Sequence, residues 1–211
     1  MENIYNEEQL AAMKDEFIEL IGSVERDGFK AKALLDKLES SDFYTAPAST
    51  KYHGSYVGGL LDHSLAVYHN LVRLVENKGL EDRYDSNCLK IVGLLHDISK
   101  MNTYETTYTN KKVYSVYGSK YDDNGNYDWV SVESYKVKDD VFTIGSHEAT
   151  SEYMLSKFCP LTRDETEAIL HHHGGMSWDS SKMEVAPIYS RNSLACLLHL
   201  ADMIATYVDN A

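Results

Sequence analysis

Residues Val92-Gly93-Leu94-Leu95-His96-Asp97-Ile98-Ser99-Lys100 set two polar side chains inside an otherwise apolar run. Cys88, Ile91, Val92, Leu94, Leu95 and Ile98 recur at helical spacing, which predicts a core helix from Cys88 to Lys100. Such a helix carries His96 and Asp97 into the interior, where an unpaired carboxylate costs several kcal/mol. Neighbours on a helix point about 100° apart, so an imidazole followed by a carboxylate can grip a cation from two directions. Lys100 shares the face of both and can meet a phosphate oxygen there. The same residues also read as a core histidine beside an Asp97 to Lys100 ion pair, and the dipeptide alone does not separate the two readings.

On either side of this stretch the pattern is mostly helical. Leu10, Met13, Phe17, Leu20 and Ile21 mark an amphipathic helix over about 7 to 23, and Ala33, Leu34 and Leu38 a shorter one closing near Ser40. These N-terminal packing helices occupy residues 1–40. A turn-rich segment, Ser41 to Gly59, holds Pro47, His53, Gly54, Gly58 and Gly59, and a helix over Leu60 to Val75 ends at Asn77-Lys78-Gly79. Between about 102 and 141 the character changes. Seven tyrosines lie between 104 and 135, β-branched residues partly alternate, and Asp122-Asp123-Asn124-Gly125-Asn126 forms a turn cluster, predicting two or three antiparallel strands. Tyrosines at strand spacing more often pack a sheet face than stack bases. Ser146 caps a helix to about Phe158, Thr162 with Glu165 forms a capping box for a helix ending at Gly174 and Gly175, and a mostly apolar helix covers roughly Arg191 to Val208. The fold class is therefore all-α, a single helical domain over 1–211 with a small antiparallel β-ribbon inserted at 102–141.

Composition narrows the function. The 211 residues are 43% hydrophobic and 25% charged, which suits one soluble domain with a sizeable core. A formal charge of -13 argues against coating duplex nucleic acid, which needs Lys and Arg to displace counterions. Cys88, Cys159 and Cys196 are widely spaced and read as reduced, buried thiols. Acidic residues interrupt the first 30 positions and no run approaches about 18 apolar residues, so a cytoplasmic protein with no membrane association is expected. Nine histidines against three prolines is the unusual feature of the composition.

Several of those histidines are candidates for a shared centre. Asp202 falls on the stripe of Leu194, Leu198 and Ala205, where an ionised side chain is expensive unless it pairs or coordinates. His63 and His69 lie about 120° apart on their helix, so only one can face a common point; His63, framed by the glycine loop, is the choice. His147 opens a helix. His171-His172-His173 sit in a last helical turn, where side chains fan out by about 100° steps, so one of them is functional and the other two are structural.

The series His63, His96-Asp97, His147, one histidine of 171–173, and Asp202 resembles the HD-domain metal-dependent phosphohydrolase superfamily, whose pattern is H…HD…H…H…D. Gly58 to Val67 and Leu197 to Asp202 are similar to the HD domain of certain bacterial exoribonucleases, and Ala46 to His53 resembles small HD proteins of phages and gut bacteria. The resemblance implies that His63, His96, Asp97 and Asp202 hold a first divalent metal, with Asp97 also able to bridge, and that His147 and His172 hold a second. His172 is preferred because it stands two residues before Gly174. Lys100 matches the end of the family's HD-x-x-K motif, while Ser99 replaces its usual glycine and the 102–141 insert is not a general family feature. His69, His171, His173 and His199 are left as structural.

The implied function is hydrolysis of a nucleotide or another small phosphate ester or diester by a metal-activated water. Asp97 and Lys100 would be catalytic, and His53 and Lys100 would contact the substrate. Histidine and carboxylate donors suit one or two ions among Mn, Fe, Ni, Co, Zn and Mg, and the absence of clustered cysteines argues against a thiolate zinc site. Two alternatives stand beside it: a di-iron centre for oxygen chemistry, and a nucleotide-sensing or interaction module without turnover.

Overall fold

The computed structural model describes residues 4–51, 53–174 and 185–209. Among these it contains eight α-helices: α1 (Glu7–Gly22), α2 (Ala31–Glu39), α3 (Gly59–Lys78), α4 (Ser86–Leu95), α5 (His147–Leu155), α6 (Arg163–Leu170), α7 (Val185–Arg191) and α8 (Ser193–Tyr207). A 3-10 turn, Ile98–Lys100, follows α4, and the strands β1 (Tyr104–Tyr114), β2 (Lys120–Asp122) and β3 (Gly125–Val137) precede α5. The molecule is mostly helical, with the expected insert forming a three-stranded antiparallel sheet of order β1-β3-β2.

Local chemistry accounts for most boundaries. Asn6 and Gln9 make a capping box at α1, Ser146 caps α5, and Thr162 and Glu165 make the expected box at α6. Gly79 closes α3 in the left-handed conformation. The turn at 122–125 joins β2 to β3 as the Asp-Asp-Asn-Gly cluster predicts. α3 is the axis of the body, packed between α8 and α4; α6 lies on α8, and α5 meets the 3-10 turn. Phe17, Leu34, Leu60, Leu71, Ile91, Leu94, Ile169 and Leu198 fill the core between them. No helix among the described residues is long and apolar enough to cross a membrane.

Three expectations are corrected, and one short helix that was not expected is added. The helix read as Cys88 to Lys100 stops at Leu95: Asp97 leaves helical geometry at φ -107°, ψ 19°, and the tighter Lys100 N–H to Asp97 carbonyl bond starts the 3-10 turn. The helix read through to Gly174 and Gly175 ends at Leu170, with His171 at φ -123° and Gly174 in the left-handed region; Gly175 lies outside the described residues. The final helix is preceded by a separate one, because Asn192 turns the chain and caps α8. Cys196 is partly exposed, whereas Cys88 and Cys159 are buried as expected.

The tyrosines do not pack on the helical core. Register places Tyr104, Tyr108 and Tyr114 of β1 on one face with Tyr127, Trp129 and Tyr135 of β3. This face packs on itself, with Tyr114 and Tyr127 ring centroids 5.8 Å apart and Lys112 Nζ 4.2 Å above the Tyr127 ring. Tyr108 stays 69% exposed, and Tyr117, in the β1–β2 loop, 92%. The ribbon is anchored at its base, through the Thr103 hydroxyl to the Ser99 carbonyl and the Tyr104 hydroxyl to the Ala48 carbonyl.

Candidate metal centre

Three helices and two turns converge at one end of α3. The approach begins with glycine: a Cβ on Gly59 would stand 2.0 Å from the Gly54 carbonyl oxygen, so this loop closes onto α3 only with hydrogen there. One turn on, His63 points inward from α3. His96 follows the end of α4, and Asp97 sits at the break before the 3-10 turn. His147 is the first residue of α5, His172 and His173 stand in the turn after α6, and Asp202 lies on the buried side of α8.

Asp97 is the hub. Its carboxylate is 1% exposed, and its two oxygens face different histidines. His63 Nε2 is 3.6 Å and His96 Nε2 3.5 Å from Oδ2, whereas His147 Nε2 and His172 Nε2 are each 3.5 Å from Oδ1. Asp202 spans the two groups as well, with Oδ1 3.1 Å from His63 Nε2 and Oδ2 3.6 Å from His173 Nε2. Two clusters with metal-ligand spacing result, His63-His96-Asp97 and His147-His172-His173.

The outer ring nitrogens fix several of these side chains. His96 Nδ1–H donates to the Gly93 carbonyl at 2.9 Å and His172 Nδ1–H to the Ile169 carbonyl at 2.7 Å, which leaves both Nε2 lone pairs turned inward. Glu148 holds two more rings, lying 3.3 Å from His147 Nδ1 and 3.1 Å from His173 Nδ1. Ser99, the residue in the usual glycine position, donates its hydroxyl to the His147 carbonyl at 2.9 Å and receives the Ser151 hydroxyl at 2.9 Å. It ties the 3-10 turn to α5.

Electrostatics place neutral imidazoles at His96 and His147 beside ionised oxygens, while burial at His172 is outweighed by the interaction with Asp97, which raises it. Burial pushes His96 and His147 down to about 3, so both are uncharged at neutral pH. Burial opposes ionisation of Asp97 and Asp202. The charge of Lys100 and the surrounding histidines outweigh it at Asp97, as the bond to His63 does at Asp202, and both carboxyls are held below the usual carboxylate range. Lys100 Nζ lies 2.6 Å from Asp97 Oδ2, an ion pair outside the angles of a directed hydrogen bond. Both readings of the His96-Asp97 dipeptide thus hold together: the ion pair is formed, and the same carboxylate faces four imidazoles.

The donor set fits divalent metal. Both Asp97 oxygens, His147 Nε2 and His172 Nε2 are buried with no directed hydrogen bond, Lys100 meeting Oδ2 only as an ion pair, and this concentration of under-used donor atoms around one point suits a cation. Nitrogen and carboxylate donors without a thiolate suit Mn, Fe, Co, Ni or Zn.

The structure brings together all the expected ligands, His63, His96, Asp97, His147, His172 and Asp202, with Lys100 beside them. His53 joins them at a ring-to-ring distance of 5.0 Å from His63, with both ring nitrogens buried and unpartnered. His69 instead pairs with Glu16 on the surface, and His199 Nδ1 braces the His172 carbonyl at 2.6 Å, both in structural roles. His173, expected to be structural, is a correction: off the helix, the 100° fan no longer applies and its ring lies 4.4 Å from that of His172. Glu148 was not legible as a member. Its only signal is a carboxylate directly after His147 in the first turn of a helix, where acidic residues are common for dipole reasons alone.

Compared with family models, residues 60–207 match the one described as HD domain. No curated protein and no solved structure matches the chain. The matched span contains every residue of the two clusters and the whole ribbon, and leaves His53 outside it.

Proposed function

This chain belongs to the HD domain family, and on that premise we propose that it is a phosphohydrolase acting on a small phosphate ester or diester, with one or two divalent ions held by His63, His96, Asp97 and Asp202 and by His147, His172 and His173. The observation that carries the proposal is Asp97, a buried carboxylate whose two oxygens each face a different pair of imidazoles. A divalent ion bound there supplies Lewis-acid polarisation of the phosphoryl group and acidifies water at neutral pH.

The protein's own groups do the rest. Asp97 and Asp202 contribute negative charge that keeps cations in the site, and Glu148 holds the rings of His147 and His173 in place. Lys100 neutralises Asp97 in the structure described, and its ammonium would be available to a phosphoryl oxygen when Asp97 serves as a metal ligand. His53 is pushed down to about 4 by burial and by the neighbouring His63 and Lys100, so at pH 7 it is neutral, with one N–H to donate to the same group. The formal charge of -13 fits a small anion drawn to a local cationic focus better than a long polyanion.

Protein purified without added metal is expected to carry divalent ions by mass spectrometry, and to release phosphate or an alcohol from members of a panel of phosphomonoesters, phosphodiesters and nucleotides. Asp97→Ala is expected to lose both metal and turnover; an Asp97→Ala protein with full metal content and full activity would overturn the proposal. Because one carboxylate joins two histidine-rich groups, a pair of irons doing oxygen chemistry is the second reading. Iron as the native metal, a visible absorption band and oxygen consumption without phosphate release would favour it.

A further inference from the structure

A cavity adjoins the metal centre, with Thr103, Tyr104, Val137 and Val141 of the insert in its lining. It encloses about 200 Å³ between the base of the ribbon and α5. Lys100 and His147 form one wall, and both also reach Asp97, at 2.6 Å and 3.5 Å. The opposite wall is apolar, made by the ring of Tyr104 with Val137, Val141 and Phe142. The Tyr104 ring is fixed in place by its hydroxyl bond to the Ala48 carbonyl.

The cavity also contains hydroxyls, but these are engaged. Ser99 donates to the His147 carbonyl, Thr103 to the Ser99 carbonyl at 3.0 Å, and Thr150 to the Ser146 carbonyl at 2.7 Å while accepting the Ile144 N–H at 2.9 Å. Recognition there rests on shape and apolar contact. A ligand suited to it is amphiphilic, with an anionic end at Lys100 and His147 and a flat apolar end against Tyr104 and Phe142. Pockets for drug-sized molecules run from about 300 Å³ upward, so a space of about 200 Å³ suits a small group such as a single ring.

We propose that this cavity seats the organic group of the substrate, and that the substrate class is a phosphate ester bearing a single aromatic ring close to the phosphorus. The inference rests on the phosphohydrolase reading for the anionic end and on the insert for the ring. It makes the insert a specificity element of the active site. Phe142 is 61% exposed and its removal leaves the core intact, so it is the residue to change.

The test uses the full chain with its native metal and non-hydrolysable probes, so that binding is read without turnover. Phenylphosphonate is expected to bind at least about tenfold more tightly than methylphosphonate, from the extra apolar area buried. Phe142→Ala should bring phenylphosphonate close to methylphosphonate while leaving methylphosphonate itself unchanged. Val141→Trp, which fills the cavity, should do the same. Equal affinity for the phenyl and methyl probes, or a phenyl preference that survives both variants, overturns the ring site and leaves the phosphohydrolase reading standing. Binding of neither probe to the metal-loaded protein overturns both.

Discussion

At the scale of single residues, Glu165 shows how a local signal and a distant one meet. Its carboxylate closes the capping box on the Thr162 N–H at 2.8 Å, and this half is readable from four consecutive residues. The other half is a two-pronged pair with Arg26, at 2.8 Å and 2.7 Å, between positions that no sequence pattern links. The site residues divide the same way. His96, Asp97 and Asp202 are legible because each is polar in an apolar run, and His63 because the glycine loop frames it, whereas Glu148 and His173 depend on where separate segments come together. Burial would raise Glu165, but Arg26 outweighs it, and the group is held below its usual value of 4.5. A depressed folded-state value means that this stabilisation is complete above about pH 4.5 and is lost as the pH falls through the folded value. Arg26→Ala strands the buried carboxylate and is expected to cost about 3–5 kcal/mol at pH 7. Urea unfolding at pH 7 and again near pH 3 checks this, and the gap between wild type and variant should narrow in acid.

At the scale of elements, the centre depends on how closely α3 and α4 approach. A Cβ on Gly93 would stand 2.9 Å from Tyr68 Cα and 3.2 Å from its Cβ, so the two helices touch through hydrogen at this level. The carbonyl of the same glycine orients His96. Gly93→Ala is therefore expected to destabilise the protein by about 1–3 kcal/mol as an overpacked contact, and to weaken metal retention, because His63 and His96 ride on the two helices being forced apart. Thermal unfolding and competition with a chelator measure the two effects. Periodicity identified α1 to α4 and the ribbon because each has a consistent apolar face. It overran α4, because apolar spacing continues past Leu95 to Ile98, and the helix after Thr162 reads on past Leu170 to the glycines at 174 and 175, while the backbone turns to aim His96, Asp97, His172 and His173. The element boundaries that periodicity missed are thus the ones that build the site.

For the whole molecule, the ribbon and the helical body are nearly independent. The ribbon's contacts lie at its base, so shortening it to Tyr104–Thr106 and Tyr135–Val137 joined by Asn-Gly is expected to leave metal content unchanged and the melting temperature within a few degrees. Metal analysis and calorimetry test this, and loss of either property would mean that the outer ribbon supports the body. Its composition announced strands, but not that they stand clear of the core, because an exposed aromatic face and a packed one share the same alternation. The position of Asp202 has a kinetic consequence. The carboxylate that completes the first cluster lies on α8 and its nearest partner, His63, on α3, so the centre joins segments far apart in the chain and closes only when the last helix docks. Contacts between such distant segments pay the loop-closure cost before they stabilise the chain, so this one is expected to form late in folding. Bound metal should then leave the refolding rate nearly unchanged and slow unfolding, acting as a latch on the native state rather than a seed for reaching it.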